Sequence, residues 1–131
     1  MANSPKKVTK KKKVKRLVPN GCVHIKAGQN NTIVTITDAD HQTICWKTSG
    51  ASGFKGTRKS TPYAAQIAAK NAAEKAKEFG FERADVFIKG IGPGREQSVR
   101  GLCAAGIEID SITDKTSLPH GGCRKRRPRR V

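Results

Sequence analysis

The chain alternates between short runs of strand character and two longer runs with the period of an amphipathic helix. Residues 22–27 (CVHIKA) alternate apolar and polar, and 32–37 (TIVTIT) are β-branched throughout. After the turn Asp38-Ala-Asp-His41, residues 42–48 (QTICWKT) resume the pattern. Three strands joined as an antiparallel meander are expected here. A helix follows: Thr61 is placed to cap it, Pro62 holds the first helical position, where a missing N–H costs nothing, and Gly80 stops it. Ala64, Ala65, Ala68, Ala69, Ala72, Ala76 and Phe79 share one face, while Gln66, Lys70, Glu74, Lys77 and Glu78 share the other. An alanine face lets a helix lie close on a sheet. Residues 85–89 (DVFIK) predict a fourth strand and 90–94 (GIGPG) a tight turn. Residues 95–105 predict a second helix with Val99, Leu102 and Cys103 inward and Gly106 as its stop, and 108–113 (EIDSIT) a fifth strand. The order βββαβαβ predicts an α/β body with a mixed five-stranded sheet, parallel pairs and right-handed crossovers. No internal repeat is visible.

Charge changes the picture. The 131 residues suit one domain, and 27 Lys and Arg against 10 Asp and Glu give a net charge of +17. Residues 1–16 carry eight of these cations (Lys6, Lys7, Lys10, Lys11, Lys12, Lys13, Lys15, Arg16) and no acid. Residues 119–131 carry six more (Arg124, Lys125, Arg126, Arg127, Arg129, Arg130), again without an acid. The body, 17–118, is close to balanced. The chain therefore divides into a basic N-terminal arm (1–16), a globular body (17–118) and a basic C-terminal tail (119–131). Like-charge repulsion keeps each arm extended, and sixteen extended residues reach about 50 Å, enough to lie along several phosphates. A charge this large for so small a body exceeds what solubility needs and points to a polyanion, nucleic acid before membrane. The chain has no run of 18 or so apolar residues and no apolar stretch after the basic start, so neither a membrane span nor a secretory signal is expected.

The runs NNTIVTITD (30–38), SGFKGTRKSTPYAAQ (52–66), KGIGPGRE (89–96) and PHGGCRKRRPRRV (119–131) closely resemble the family of small-subunit ribosomal protein eleven, in its bacterial or organellar form. The resemblance extends from Gly21 nearly to the end. It implies a ribonuclease-H-like three-layer α/β/α body and a structural, non-enzymatic role. It also implies a place on the platform of the small subunit, bound to 16S-type ribosomal RNA. Neighbours there would include small-subunit proteins seven and eighteen, with messenger RNA close by. Localisation would be the cytoplasmic ribosome, or an organellar stroma or matrix if organelle-encoded. Gln29 stands where many members carry Phe, Ile91 replaces a common Pro, and Gly121-Gly122 replaces the frequent Asn-Gly, so no side-chain amide contact is carried over at that spot.

The candidate contacts follow from residue chemistry. In the GIGPG turn, Gly92 and Gly94 let the backbone approach an anion, and the following helix offers free N–H groups. Arg95 and Arg100 add charge. A purely structural turn is the alternative. A nucleotide site is not, since neither the Walker nor the Rossmann spacing is matched. The loop 49–60 supplies Lys55, Arg58 and Lys59. Phe54 serves either to stack on a base or to fill the core, and Tyr63 can stack as well. Asn30, Asn31, Ser52 and Ser60 can bond phosphate or 2′-OH, whereas Thr61 is better read as a cap. The arms add Lys11, Lys12, Lys13, Lys15, Arg16, His120 and Arg124 to Arg127, with Arg129 and Arg130. No metal or cofactor is expected. Cys22-x-His24 and His120-x-x-Cys123 do not match a zinc spacing, and Cys45 and Cys103 read as buried reduced thiols. Nuclease chemistry needs converging carboxylates, yet 22–27 contain none and Glu74 and Glu78 face solvent. A general polyanion binder would have no use for a balanced body with distinct loops.

Overall fold

The computed structural model describes residues 16–131. Of the expected N-terminal arm only Arg16 falls within them. Strands β1 (Asn20–Ala27), β2 (Thr32–Asp38), β3 (Thr43–Thr48), β4 (Arg83–Lys89) and β5 (Glu108–Asp114) form one sheet in the order β3-β2-β1-β4-β5. The first three make the antiparallel meander, while β1–β4 and β4–β5 pair in parallel. Helix α1 (Pro62–Lys77) joins β3 to β4, and α2 (Arg95–Ala104) joins β4 to β5. Thr61 caps α1 as expected, its hydroxyl accepting from the Ala64 amide at 3.3 Å. Gly80, at φ +74°, takes the left-handed conformation that turns the chain away.

Both crossovers step the same way along the sheet, so one handedness puts both helices on one face. There α1 covers β2 and β3, α2 covers β1, and the two helices pack on each other. The core is the layer between: Val23, Ile25, Val34, Ile36, Val86 and Ile88 from the sheet meet Ala69, Ala72, Ala73, Ala76 and Leu102 from the helices. Alanine and glycine make that contact close. A Cβ on Gly101 would lie 2.5 Å from the Gln66 carbonyl oxygen and 3.0 Å from Ala69 Cβ.

Three side chains differ from expectation. Cys103 is exposed, and the inward face of α2 is Ser98, Gly101 and Leu102. Val99 and Leu102 pack on the core as expected, Gly101 seats α2 against α1, and Cys103 falls outside that contact. Phe79 is half-buried and Ala73 fully buried, because α1 meets both the sheet and α2 and so needs a wider apolar stripe.

This mixed sheet with two helices is the α/β architecture that residues and resemblance implied. Its second face, carrying His24, Lys26, Ile33, Thr35, Trp46, Phe87 and Lys89, is covered by no helix or strand among the described residues.

Candidate nucleic-acid interface

Strands β1, β3, β4 and β5 point the same way, and β2 runs against them. The chain therefore leaves the sheet at one common edge four times: at 28–31, at 49–61, at 90–94 and at the start of the C-terminal tail. Both helices also begin there. Hydrogen bonds knit this edge together. Gly92 N–H donates to the Ala27 carbonyl (2.9 Å), Gly28 N–H to Asn31 (2.8 Å), Ser49 N–H to Thr32 (3.0 Å), and Gly90 N–H to Thr116 Oγ1 (3.2 Å). Residues about 60 positions apart in sequence thus become neighbours.

The loop between β3 and α1 holds two short 3-10 turns, Gly50–Ser52 and Gly56–Ser60. Lys55 and Arg58 are exposed and Lys59 half-exposed. Phe54 is not in the core. Its ring meets Tyr63 edge to face, with centroids 5.8 Å apart and planes at 82°. Tyr63 is 62 % exposed, so the pair is a surface aromatic corner. The hydroxyls of Ser52 and Ser60 donate to the Thr48 and Thr57 carbonyls, which leaves their lone pairs as acceptors. Asn31 Oδ1 accepts from the Thr32 amide at 2.9 Å, a turn role, while Asn30 is exposed beside it.

The glycine turn is held by packing. Gly90 sits at φ +97°. A Cβ on Gly92 would meet the Gly28 carbonyl oxygen at 2.0 Å, and one on Gly94 the Thr32 hydroxyl at 2.4 Å. These glycines therefore let the turn lie flat on the loop 28–31, the structural alternative weighed above, while keeping the start of α2 at the edge. The Arg95 guanidinium reaches back across this turn. It donates to the Gly90 carbonyl and to Asp114 Oδ2 (2.5 Å), with Thr116 Oγ1 at 3.4 Å. Those bonds hold the Asp114 carboxyl well below the usual carboxylate range, and the Thr116 hydroxyl and amide add to the effect. Arg95 is thus a clamp that fixes the root of the tail to the turn, with its charge already countered. Arg100, further along α2, is exposed.

Beyond the clamp the tail has no regular element, and His120, Arg124, Lys125, Arg126, Arg127, Arg129 and Arg130 are all exposed. Arg16 stands apart. It lies at the opposite edge, near Gln42 Oε1 (3.0 Å) and Asp38 (3.5 Å). Lys11, Lys12, Lys13 and Lys15 lie outside the described residues. Sequence reasoning missed Lys26, Lys89 and Lys115, which border the same end. For Lys26 and Lys89 the signal was present as the polar phase of strand alternation, but that phase alone does not say which cations share a face.

Cys45 is buried, its thiol donating to the Ala72 carbonyl, and burial pushes it up to about 11. No group of three or more His, Cys, Asp or Glu converges among the described residues, and none of their helices is long and apolar enough to cross a membrane.

Comparison with known proteins decides the family. The family model for ribosomal protein S11 matches residues 21–130. The chain belongs to the ribosomal protein S11 family. It is 54 % identical over 131 residues to the small ribosomal subunit protein uS11 of Psychromonas ingrahamii, covering all of both chains. The uS11 of Cellvibrio japonicus is 55 % identical over the same full length, and that of Dichelobacter nodosus 57 % over 121 residues, or 92 % of each chain. As an S11 protein the chain is a structural, non-enzymatic constituent of the small ribosomal subunit, and ribosomal RNA binding is general to its family.

Proposed function

We propose that the edge formed by 28–31, 49–61, 90–94 and the tail root is the surface that this S11 protein lays on 16S-type ribosomal RNA in the platform of the small subunit. The topological gathering of these four segments carries the reading. It brings Lys55, Arg58, Lys59 and the six tail cations to one side of a body of little net charge. Asn30, Ser52, Phe54, Ser60 and Arg100 add hydrogen bonds, stacking and charge around it. Gly92, Gly94 and Arg95 shape the surface, and Asn31 braces it. Shape and phosphate contacts dominate such binding, since few side chains are left to read base edges. The basic arms 1–16 and 119–131 extend the body 17–118 along the RNA. Proteins seven and eighteen and the messenger RNA path are its neighbours there, in the cytoplasmic ribosome or its organellar counterpart.

Salt dependence tests this. Six tail contacts to phosphate contribute about 4 to the slope of log K against log[salt], at roughly 0.7 per single-strand phosphate. Deleting Arg124 to Arg130 flattens the slope by that amount and leaves the circular dichroism of the body intact. An unchanged slope refutes the assignment of the tail.

A further inference from the structure

We propose that the uncovered face of the sheet is a second RNA surface, a stacking platform for two or three bases of a single-stranded segment. The proposal rests on the RNA-binding reading above but uses different residues. Strand register places Trp46, Thr35, His24, Phe87 and Thr113 in one row across all five strands. At about 4.8 Å per strand, Trp46 and Phe87 stand roughly 14 Å apart. Trp46 is 58 % exposed, although the chain holds one tryptophan and six aromatic residues in all. His24 stacks against Phe87, with centroids 5.4 Å apart and planes at 20°, which fixes the Phe87 ring in the row. A trough of about 380 Å³ runs along it, lined in part by Ile33, Thr35 and Phe87.

Charge selects the occupant. Lys26, Lys89 and Lys115 flank the row. The carboxylate that β4 contributes to this face, Asp85, lies at its far end and accepts from Ser111 Oγ at 2.6 Å. An acidic or neutral peptide would match the cations or the rings, whereas a nucleic-acid strand matches both at once, bases on rings and phosphates on lysines. The Lys115 ammonium now sits 3.9 Å over the Phe87 ring. Its flexible stem lets it swing to a phosphate when a base takes that place. Burial, the nearby His41 and the lysines lower the His24 imidazole from its ordinary value. A sheet that stacks bases on paired aromatics is an established way of holding single-stranded RNA.

Trp46 supplies its own reporter. The full chain is titrated with a single-stranded oligouridylate while tryptophan emission is followed. Saturable quenching is expected, and it persists in the chain lacking Arg124 to Arg130. Phe87→Leu keeps the apolar volume and removes the ring, and should weaken the quenching interaction roughly 5- to 150-fold, as loss of one base stack does. Lys26→Glu, at an exposed position that no fold argument touches, should weaken it as well. Equal quenching by heparin overturns the proposal, because charge alone then suffices. So does an affinity unchanged by both substitutions but abolished by tail deletion, a result that leaves the edge reading standing. Emission that responds to RNA-free small-subunit proteins and not to RNA assigns the face to a protein partner and also overturns the proposal. Failure of every form to bind ribosomal RNA would instead sink the edge reading.

Discussion

Gly101 sets the distance between the two helices, and enlarging it should loosen the whole body. In Gly101→Ala the new methyl would start 2.5 Å from the Gln66 carbonyl oxygen and 3.0 Å from Ala69 Cβ. Backbone oxygen cannot rotate aside, so α2 must recede by roughly 0.5–1 Å. A gap of that size forfeits about a quarter to a half of the dispersion energy across the seam. Overpacking of this kind costs about 1–3 kcal/mol. Against it stands the gain from replacing glycine by alanine within a helix, about 1 kcal/mol. The net expectation is a loss of up to about 2 kcal/mol. For a body near 100 residues that lowers Tm by up to about 10 °C. Thermal unfolding followed by far-ultraviolet circular dichroism measures it, and Gly101→Val should lower Tm further. A Gly101→Val chain no less stable than the parent, or a raised Tm for Gly101→Ala, would show that the seam is not in tight contact, and the argument for the helix layer would fail.

Three further outcomes are expected. Asp114 has its carboxyl depressed by Arg95, so its stabilising contribution is present above the ordinary carboxylate value of 3.8 and is lost as pH falls toward the depressed value. Asp114→Asn should therefore flatten the acid limb of a stability–pH curve below about pH 4; a limb of unchanged steepness would remove the clamp from the account. A thiol reagent at neutral pH should label the exposed Cys103 and Cys123 first, Cys22 more slowly and Cys45 only on unfolding, with peptide mapping as the readout. Fast labelling of Cys45 would contradict its burial and its pKa of about 11. Thr61→Ala removes the cap of α1 and should cost about 1 kcal/mol in urea unfolding, more than Thr61→Gly costs beyond its own flexibility. Equal stability would mean the hydroxyl does not cap.

The sequence determined the elements of this protein and the class of its partner. Strand alternation, the Thr61-Pro62 start, the alanine stripe and the glycine stops are local signals. They set seven elements whose ends agree with the structure to within two residues. Charge segregation needs no fold at all, because it is a property of composition along the chain. What local signals cannot carry is which residues become neighbours. Strand direction alone gathered 28–31, 49–61, 90–94 and the tail at one edge and left Arg16 at the other. A pairing between Arg95 and Asp114, nineteen positions apart, ties the glycine turn to the root of the tail. The side of α2 that meets α1, at Gly101, and leaves Cys103 exposed is set by helix–helix contact, which the helical wheel of one segment does not contain. Tertiary structure likewise decided that both helices share a face. The aromatic row on the opposite side exists because five strands align in register, and register is a property of pairs of strands rather than of any one of them.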